Sequence, residues 1–162
     1  PNESGIVIQN NGNQKYRAAT NGNAVNQFYN GDGSLVGSIV ANASSTTFNT
    51  SSDYRLKENV TYDFNATTRL KQLKPSRFNF KNDTDNTVDG FLAHEVSSIV
   101  PEAIIGKKDA VDEDDNPIYQ GIDQSKLVPL LVKALQEAVT KIETLETSNA
   151  DLITRVKTLE DA

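Results

Sequence analysis

Ser51-Ser52-Asp53-Tyr54-Arg55-Leu56-Lys57-Glu58-Asn59 stands where the chain changes character. Before it, residues 1–50 carry only Glu3, Lys15, Arg17 and Asp32 as charged side chains and are rich in Asn, Gly, Ser and Thr. After it the charge density rises and the spacing of apolar residues changes. The stretch therefore divides a polar, β-prone segment from a second module. Within it, Ser52 and Lys57 stand five residues apart. A serine becomes a nucleophile when a base takes its proton, and a lysine serves as that base when desolvation brings its pKa toward neutrality. The spacing alone does not separate this reading from a surface serine near a solvated lysine.

The whole string carries more than the spacing. Ser52-Asp53-Tyr54-Arg55-Leu56-Lys57 resembles the Ser-Asp-x-Arg-Leu-Lys signature that opens the C-terminal intramolecular chaperone domain of phage tailspikes, tail fibres and endosialidases, a module that also occurs in a membrane-bound transcription factor of animals. Gly90-Phe91-Leu92-Ala93-His94-Glu95-Val96 and Ile122-Asp123-Gln124-Ser125-Lys126-Leu127-Val128-Pro129-Leu130-Leu131 are similar to later family segments, so the resemblance runs from Ser52 to about Thr147. It implies a chain that cuts itself on the N-terminal side of the signature serine. The scissile bond would be Ser51–Ser52, the nucleophile Ser52 and the base Lys57. Asp53, Arg55 and Glu58 share the signature. They read as an ion-pair set that orients the loop around the two residues. Ser51 is a competing nucleophile by type, but its spacing to Lys57 is one too long for the signature.

Composition limits the alternatives. The length suits one domain, or a small domain with an extension. The absence of cysteine removes disulfides and thiolate metal sites, and a lone histidine removes a histidine-rich one. A net charge of −6 argues against a general nucleic-acid binder, which needs a basic stripe. No apolar run approaches the roughly 20 residues that span a membrane. The Pro1-Asn2-Glu3 start has neither the basic nor the apolar region of a secretory leader, so none is expected there.

Along the chain, Asn-Gly recurs at Asn11-Gly12, Asn21-Gly22 and Asn30-Gly31. Apolar or alternating runs at 5–8, 24–29 and 34–40 adjoin these pairs, a hairpin signal. Strands this short bury little in a monomer. The ten-residue spacing fits a stalk in which three chains share one core; a disordered linker is the alternative. Residues 43–52 form either a last strand or an exposed loop leading to the cut. In the second module, 60–64 alternates as a short strand, and Asn65 caps a helix through 67–73 that ends before Pro75. Residues 77–81 read as a strand, 82–87 as a polar turn and 91–100 as a short helix stopped at Pro101. Residues 103–105 read as a buried strand, 109–116 as an acidic turn and 118–120 as a strand. This mixed order predicts an α+β fold.

From Leu135 the pattern is a heptad. Leu135, Ile142, Asn149 and Val156 hold the a positions; Ala138, Leu145, Leu152 and Leu159 hold d. Lys141 with Glu146, and Arg155 with Glu160, have the g-to-e spacing of interhelical ion pairs. The pattern predicts a self-associating helix over about 125–160. Asn at a with Leu at d leans toward two strands, whereas the resemblance implies three.

The other candidates have plainer readings. His94 is a base by type but reads as a structural residue on a helix. Asp112-Glu113-Asp114-Asp115-Asn116 lacks the sixth-position Gly and closing Glu of a calcium loop and reads as a solvated hairpin tip. Some relatives bind nucleotide in the released domain, so ATP is conceivable by analogy, but there is no Gly-rich phosphate loop and no cofactor is expected. The resulting expectation is a homotrimer. Residues 1–51 would be the β-rich end of a fibre or spike stalk and residues 52–162 a chaperone and autoprotease domain ending in a coiled coil. Its partners would be its own copies and its own stalk as folding client, with no nucleic acid and no membrane. The stalk would reside in the virion tail, and the chaperone domain would work in the host cytoplasm during assembly. The rival reading is a non-catalytic structural or receptor-binding fibre tip.

Overall fold

The computed structural model describes residues 5–8, 14–17 and 24–162. The chain forms two compact units, residues 1–61 and residues 62–162.

In the first unit, β1 (Gly5–Ile8) pairs antiparallel with β2 (Gln14–Arg17). The turns anticipated at Asn11-Gly12 and Asn21-Gly22 lie outside the described residues. β3 (Ala24–Tyr29), β4 (Leu35–Ala41) and β5 (Thr46–Thr50) form an antiparallel meander in that order. Asn30-Gly31 does open the β3–β4 turn, but not as a two-residue hairpin. The Asn30 carboxamide oxygen accepts from the backbone N–H groups of Asp32 (3.1 Å) and Ser34 (2.9 Å), and the left-handed residue is Gly33, at φ 76°. Residues 43–52 resolve into a turn followed by β5, so the last-strand alternative holds.

Strand alternation puts Leu35, Gly37 and Ile39 on one face of β4. Phe28 lies opposite Gly37 and Phe48 opposite Ile39. Gly37 has a steric reason: a Cβ there would come within 3.0 Å of the Asn49 carbonyl oxygen, with the Phe28 ring 3.7 Å away. Phe28, Leu35 and Phe48 remain exposed, Phe48 by 76%. Three short strands bring these side chains together without covering them.

Among the residues whose burial is described, the buried core lies in the second unit. α1 (Ala66–Leu70) starts where the sequence predicts, with the Asn65 carboxamide accepting from the Thr68 N–H. A second cap comes from far along the chain. The Glu137 carboxylate accepts from the N–H of Ala66 (3.2 Å) and Thr67 (2.9 Å) and from the Thr67 hydroxyl. These donors hold the Glu137 carboxyl below the usual range, the Thr67 hydroxyl contributing most. Glu137 belongs to α3 (Val128–Glu160), so one carboxylate ties the two helices. Pro129 sits in the first turn of α3, where a missing N–H costs nothing.

β6 (Ser76–Phe80) pairs with β7 (Asp83–Gly90), α2 spans Ala93–Val96, and β8 (Ile104–Ile105) pairs with β9 (Gly121–Ile122). Ala66, Leu73, Val96, Val100, Ala103, Leu127, Leu130 and Ala134 form the core. The Arg69 guanidinium donates to the Ile99 carbonyl (2.7 and 3.2 Å), fastening α1 to the turn after α2.

Several expectations change. Residues 60–64 form no strand; Phe64 packs against the core instead. The polar turn at 82–87 shrinks to Lys81-Asn82, because the Asn79 side chain bridges an irregular register by bonding Thr84 O and Thr87 Oγ1. The helix over 91–100 is only four residues long. The strand expected at 118–120 forms at Gly121–Ile122, in register with Ile104–Ile105. Within 103–105, Ala103 is buried but Ile105 is exposed. The acidic stretch is a hairpin tip: Asp112 Oδ1 accepts from the N–H of Asp114 and Asn116, and Val111 bridges Pro117. The mixed α+β class holds, with a long C-terminal helix that begins at Val128 after a 3-10 turn over Gln124–Leu127.

Candidate functional site

The 51–59 stretch leaves the meander from the end of β5. Ser51 lies one residue past β5 but stays bonded to β4. Its N–H donates to the Val36 carbonyl (3.0 Å) and its hydroxyl donates to the Leu35 carbonyl (3.1 Å). The residue whose carbonyl precedes Ser52 is thus fixed to β4 by two bonds.

Asp53 then stops the extended chain and starts a turn. Its Oδ1 accepts from the Arg55 N–H at 2.8 Å, capping a 3-10 turn over Tyr54–Leu56. The Arg55 guanidinium grips the same carboxylate with two bonds, Nε to Oδ1 at 2.9 Å and Nη2 to Oδ2 at 2.8 Å. The turn closes when the Leu56 N–H donates to Asp53 O and the Lys57 N–H to Tyr54 O, both at 3.1 Å. The Arg55 side chain, its backbone N–H and, more weakly, the Lys57 charge hold the Asp53 carboxyl below the usual range, and Asp53 in turn raises Arg55.

Reversing the chain in this way returns the Lys57 side chain to the start of the stretch. Its ammonium donates to Ser52 Oγ at 2.7 Å. The Ser52 hydroxyl oxygen therefore faces Lys57, while the Ser51 hydroxyl proton is committed to Leu35. Glu58 stays outside this arrangement, with no hydrogen bond or ion pair among the described residues. Asn59 follows in the left-handed region at φ 52°, which Asn tolerates better than most residues.

Every residue from Ser51 to Asn59 is exposed, and the flanking Tyr54, Leu56, Val60 and Tyr62 are exposed large hydrophobics. Apolar side chains left uncovered along this stretch form a surface ready to be covered.

The remaining sequence candidates do not join the pair. His94 is exposed on α2, and its imidazole makes no hydrogen bond among the described residues. The Asp112 carboxylate is occupied by Asn116 and Asp114, which hold it below the usual range. Among the described residues no cluster of metal-ligating side chains occurs and no helix is long and apolar enough to cross a membrane. What the sequence did not disclose is the anchoring of Ser51 to Leu35 and Val36. The only available signal was the β-prone run immediately before it, since a strand ending at residue 50 leaves residue 51 within reach of its neighbour.

Comparison with known proteins now bears on this geometry. Residues 52–105 match the family described as chaperone of endosialidase, a peptidase family. The match opens at Ser52, so the resemblance drawn from the signature holds over this segment, which is about a third of the chain. It includes Gly90–Val96 and stops before the 122–131 segment. The family's description gives a chaperone role, and its name a peptidase. No curated protein matches the chain.

Proposed function

We propose that this chain is the C-terminal end of a phage tail fibre or tailspike, in which an intramolecular chaperone drives trimerisation and folding and then releases itself by serine autoproteolysis at Ser51–Ser52. The observation that carries the reading is the 2.7 Å approach of Lys57 Nζ to Ser52 Oγ, inside a signature where the family match begins.

The chemistry follows from that contact. A neutral Lys57 accepts the Ser52 Oγ proton. Oγ bonds to the Ser51 carbonyl carbon through a tight ring, and the oxyanion that forms needs a hydrogen-bond donor. The C–N bond to Ser52 breaks, and Lys57 returns the proton to the departing amine. The result is an ester between Ser51 and Ser52 Oγ. Water then hydrolyses it, leaving a carboxylate on Ser51 and restoring the Ser52 hydroxyl. The step turns over once, because the catalyst is also the substrate.

Lysine becomes a base only when its charged form is disfavoured, and removal from water is the usual means. The pair is exposed in a single chain, and Tyr54, Leu56 and Val60 of the same stretch are exposed as well. A cover supplied by assembly would therefore switch the reaction on, making cleavage a check on folding. Trimerisation is supported by two exposed apolar surfaces, the Phe28–Leu35–Phe48 sheet face and the a/d seam of α3. High-contact-order β-trimers fold slowly. A domain that associates first raises the local concentration of the stalk strands, and its loss afterwards leaves the stalk kinetically trapped. In this reading the stalk ends in the virion tail, the chaperone acts in the host cytoplasm, and neither nucleic acid, membrane nor cofactor takes part.

The test is the chain expressed with an upstream stalk segment as wild type, Ser52→Ala and Ser52→Cys. Wild type is expected to split with a new N-terminus at Ser52. Ser52→Ala is expected to stay whole, and Ser52→Cys to split, since a thiol performs the same acyl shift. A wild-type chain that assembles and remains whole would return the protein to a non-catalytic fibre tip.

A further inference from the structure

The second unit has an apolar groove of about 590 Å³. Leu70 and Leu73 of the α1 region, Pro75 and Phe91 form part of its lining, and Val128 and Leu131 of α3 form another wall. Much of this surface is uncovered in one chain: Val128 is 53% and Leu131 48% exposed. A core is normally closed over such side chains, so the groove is unfinished rather than a packing flaw.

The phase of α3 says what finishes it. The a and d positions run from Leu135 to Leu159, and stepping back one heptad places Val128 at a and Leu131 at d. The groove wall and the coiled-coil seam are therefore the same stripe of one helix. A partner helix lying along the seam of α3 in a parallel, in-register assembly arrives at Val128 and Leu131, at the mouth of the groove. The chain's own α3 cannot fill the space, because it forms the wall. The tail argues for the same occupant. Buried residues on α3 end at Ala134, while Leu135, Ile142, Leu145, Leu152, Val156 and Leu159 are all exposed. Lys141–Glu146 and Arg155–Glu160 supply matching charges at g and e for a second copy of the same helix.

We propose that this groove seats the first two turns of α3 from a second copy of the chain, so that the seam runs unbroken from the α3 tail into the body of the second unit. The inference rests on the self-association proposed above and adds where that interface begins. It makes the body, and not only the tail, part of what a neighbouring chain recognises.

The chain has no cysteine, so single thiols report without background. Leu131→Cys (groove), Leu152→Cys (tail seam) and Gln136→Cys (outer b position) are each treated with a short bifunctional maleimide. In parallel, Lys71→Cys on the groove rim is alkylated with a monofunctional maleimide. The proposal expects covalent dimers from Leu131→Cys and Leu152→Cys in similar yield and none from Gln136→Cys. It also expects Lys71→Cys to alkylate at least tenfold more slowly than Gln136→Cys. Should Leu131→Cys lose helicity, Val128→Cys takes its place. Cross-linking at Leu152→Cys without cross-linking at residue 131 or 128 overturns the groove proposal and leaves self-association intact. Cross-linking at 131 with a freely reactive Lys71→Cys also overturns it, because the groove then stays open. Failure at both seam positions overturns the self-association reading together with this one.

Discussion

Ser51 and Ser52 are adjacent and chemically identical, yet the surrounding bonds give them different work. The Ser51 hydroxyl donates to the Leu35 carbonyl, whereas the Ser52 oxygen faces the Lys57 ammonium. Ser51 is thus a positioning residue in the proposed reaction, holding the carbonyl that Ser52 attacks. Its backbone bond to Val36 survives substitution. Ser51→Ala should therefore slow self-cleavage only a few-fold, in line with the loss of one exposed hydrogen bond. A time course of product on a denaturing gel reads this directly. Complete loss of cleavage would mean that the Ser51 hydroxyl takes part in the chemistry. Ser52, Lys57, Asp53 and Arg55 were all legible in the sequence because the device is local: one cap, one turn and one ion pair within six residues. The anchoring of Ser51 depends on residues fifteen and sixteen positions upstream, which no short pattern reports.

Among the elements, the N-terminus of α1 shows the same division between local and distant causes. Asn65 as a cap could be read from the sequence, because its partner is the Thr68 N–H three residues on. The Glu137 contact could not, because it joins residues about seventy positions apart. It makes a pH prediction. The folded-state pKa of Glu137 lies below its ordinary value of 4.5, so the stability it contributes is present above that value and is lost as pH falls through the lowered one. Wild type should therefore melt higher than Glu137→Gln by a constant margin at pH 6–7, and the margin should shrink as acid protonates Glu137. Thermal unfolding by circular dichroism between pH 7 and pH 3 measures it. A margin independent of pH would show that the carboxylate's charge is not what holds α1. Short elements of both kinds drifted: the helix expected over 91–100 is only Ala93–Val96, and two of the expected strands moved or did not form. The 60–64 and 118–120 runs alternate, but ladder partners decide strands, and the ladder to Ile104–Ile105 forms at Gly121–Ile122 instead.

For the whole molecule, the exposed surfaces carry the argument. The α+β class, the long helix and its heptad were legible because periodicity over thirty residues is hard to mistake. The groove was not, because it is built from α1, Pro75, Phe91 and α3 together. Ending the chain at Lys141 removes the distal seam but keeps Leu130, Ala134 and Glu137. The second unit should stay folded, and assembly should weaken at least tenfold by analytical ultracentrifugation. Undiminished assembly would place the driving interface in the stalk sheet. If assembly supplies the cover that lets Lys57 act, this truncated chain should also cleave more slowly.

The most direct measurement is the intact mass, under denaturing conditions, of wild type, Lys57→Ala and Lys57→Arg carrying an upstream stalk segment. Arginine keeps the charge but stays protonated in proteins, so it cannot serve as a base. The account predicts that wild type resolves into two masses meeting at Ser51–Ser52 and that both variants remain single. A split that survives in Lys57→Arg would contradict the assignment of Lys57 as the base, and a wild type that stays a single mass after assembly would contradict self-cleavage itself.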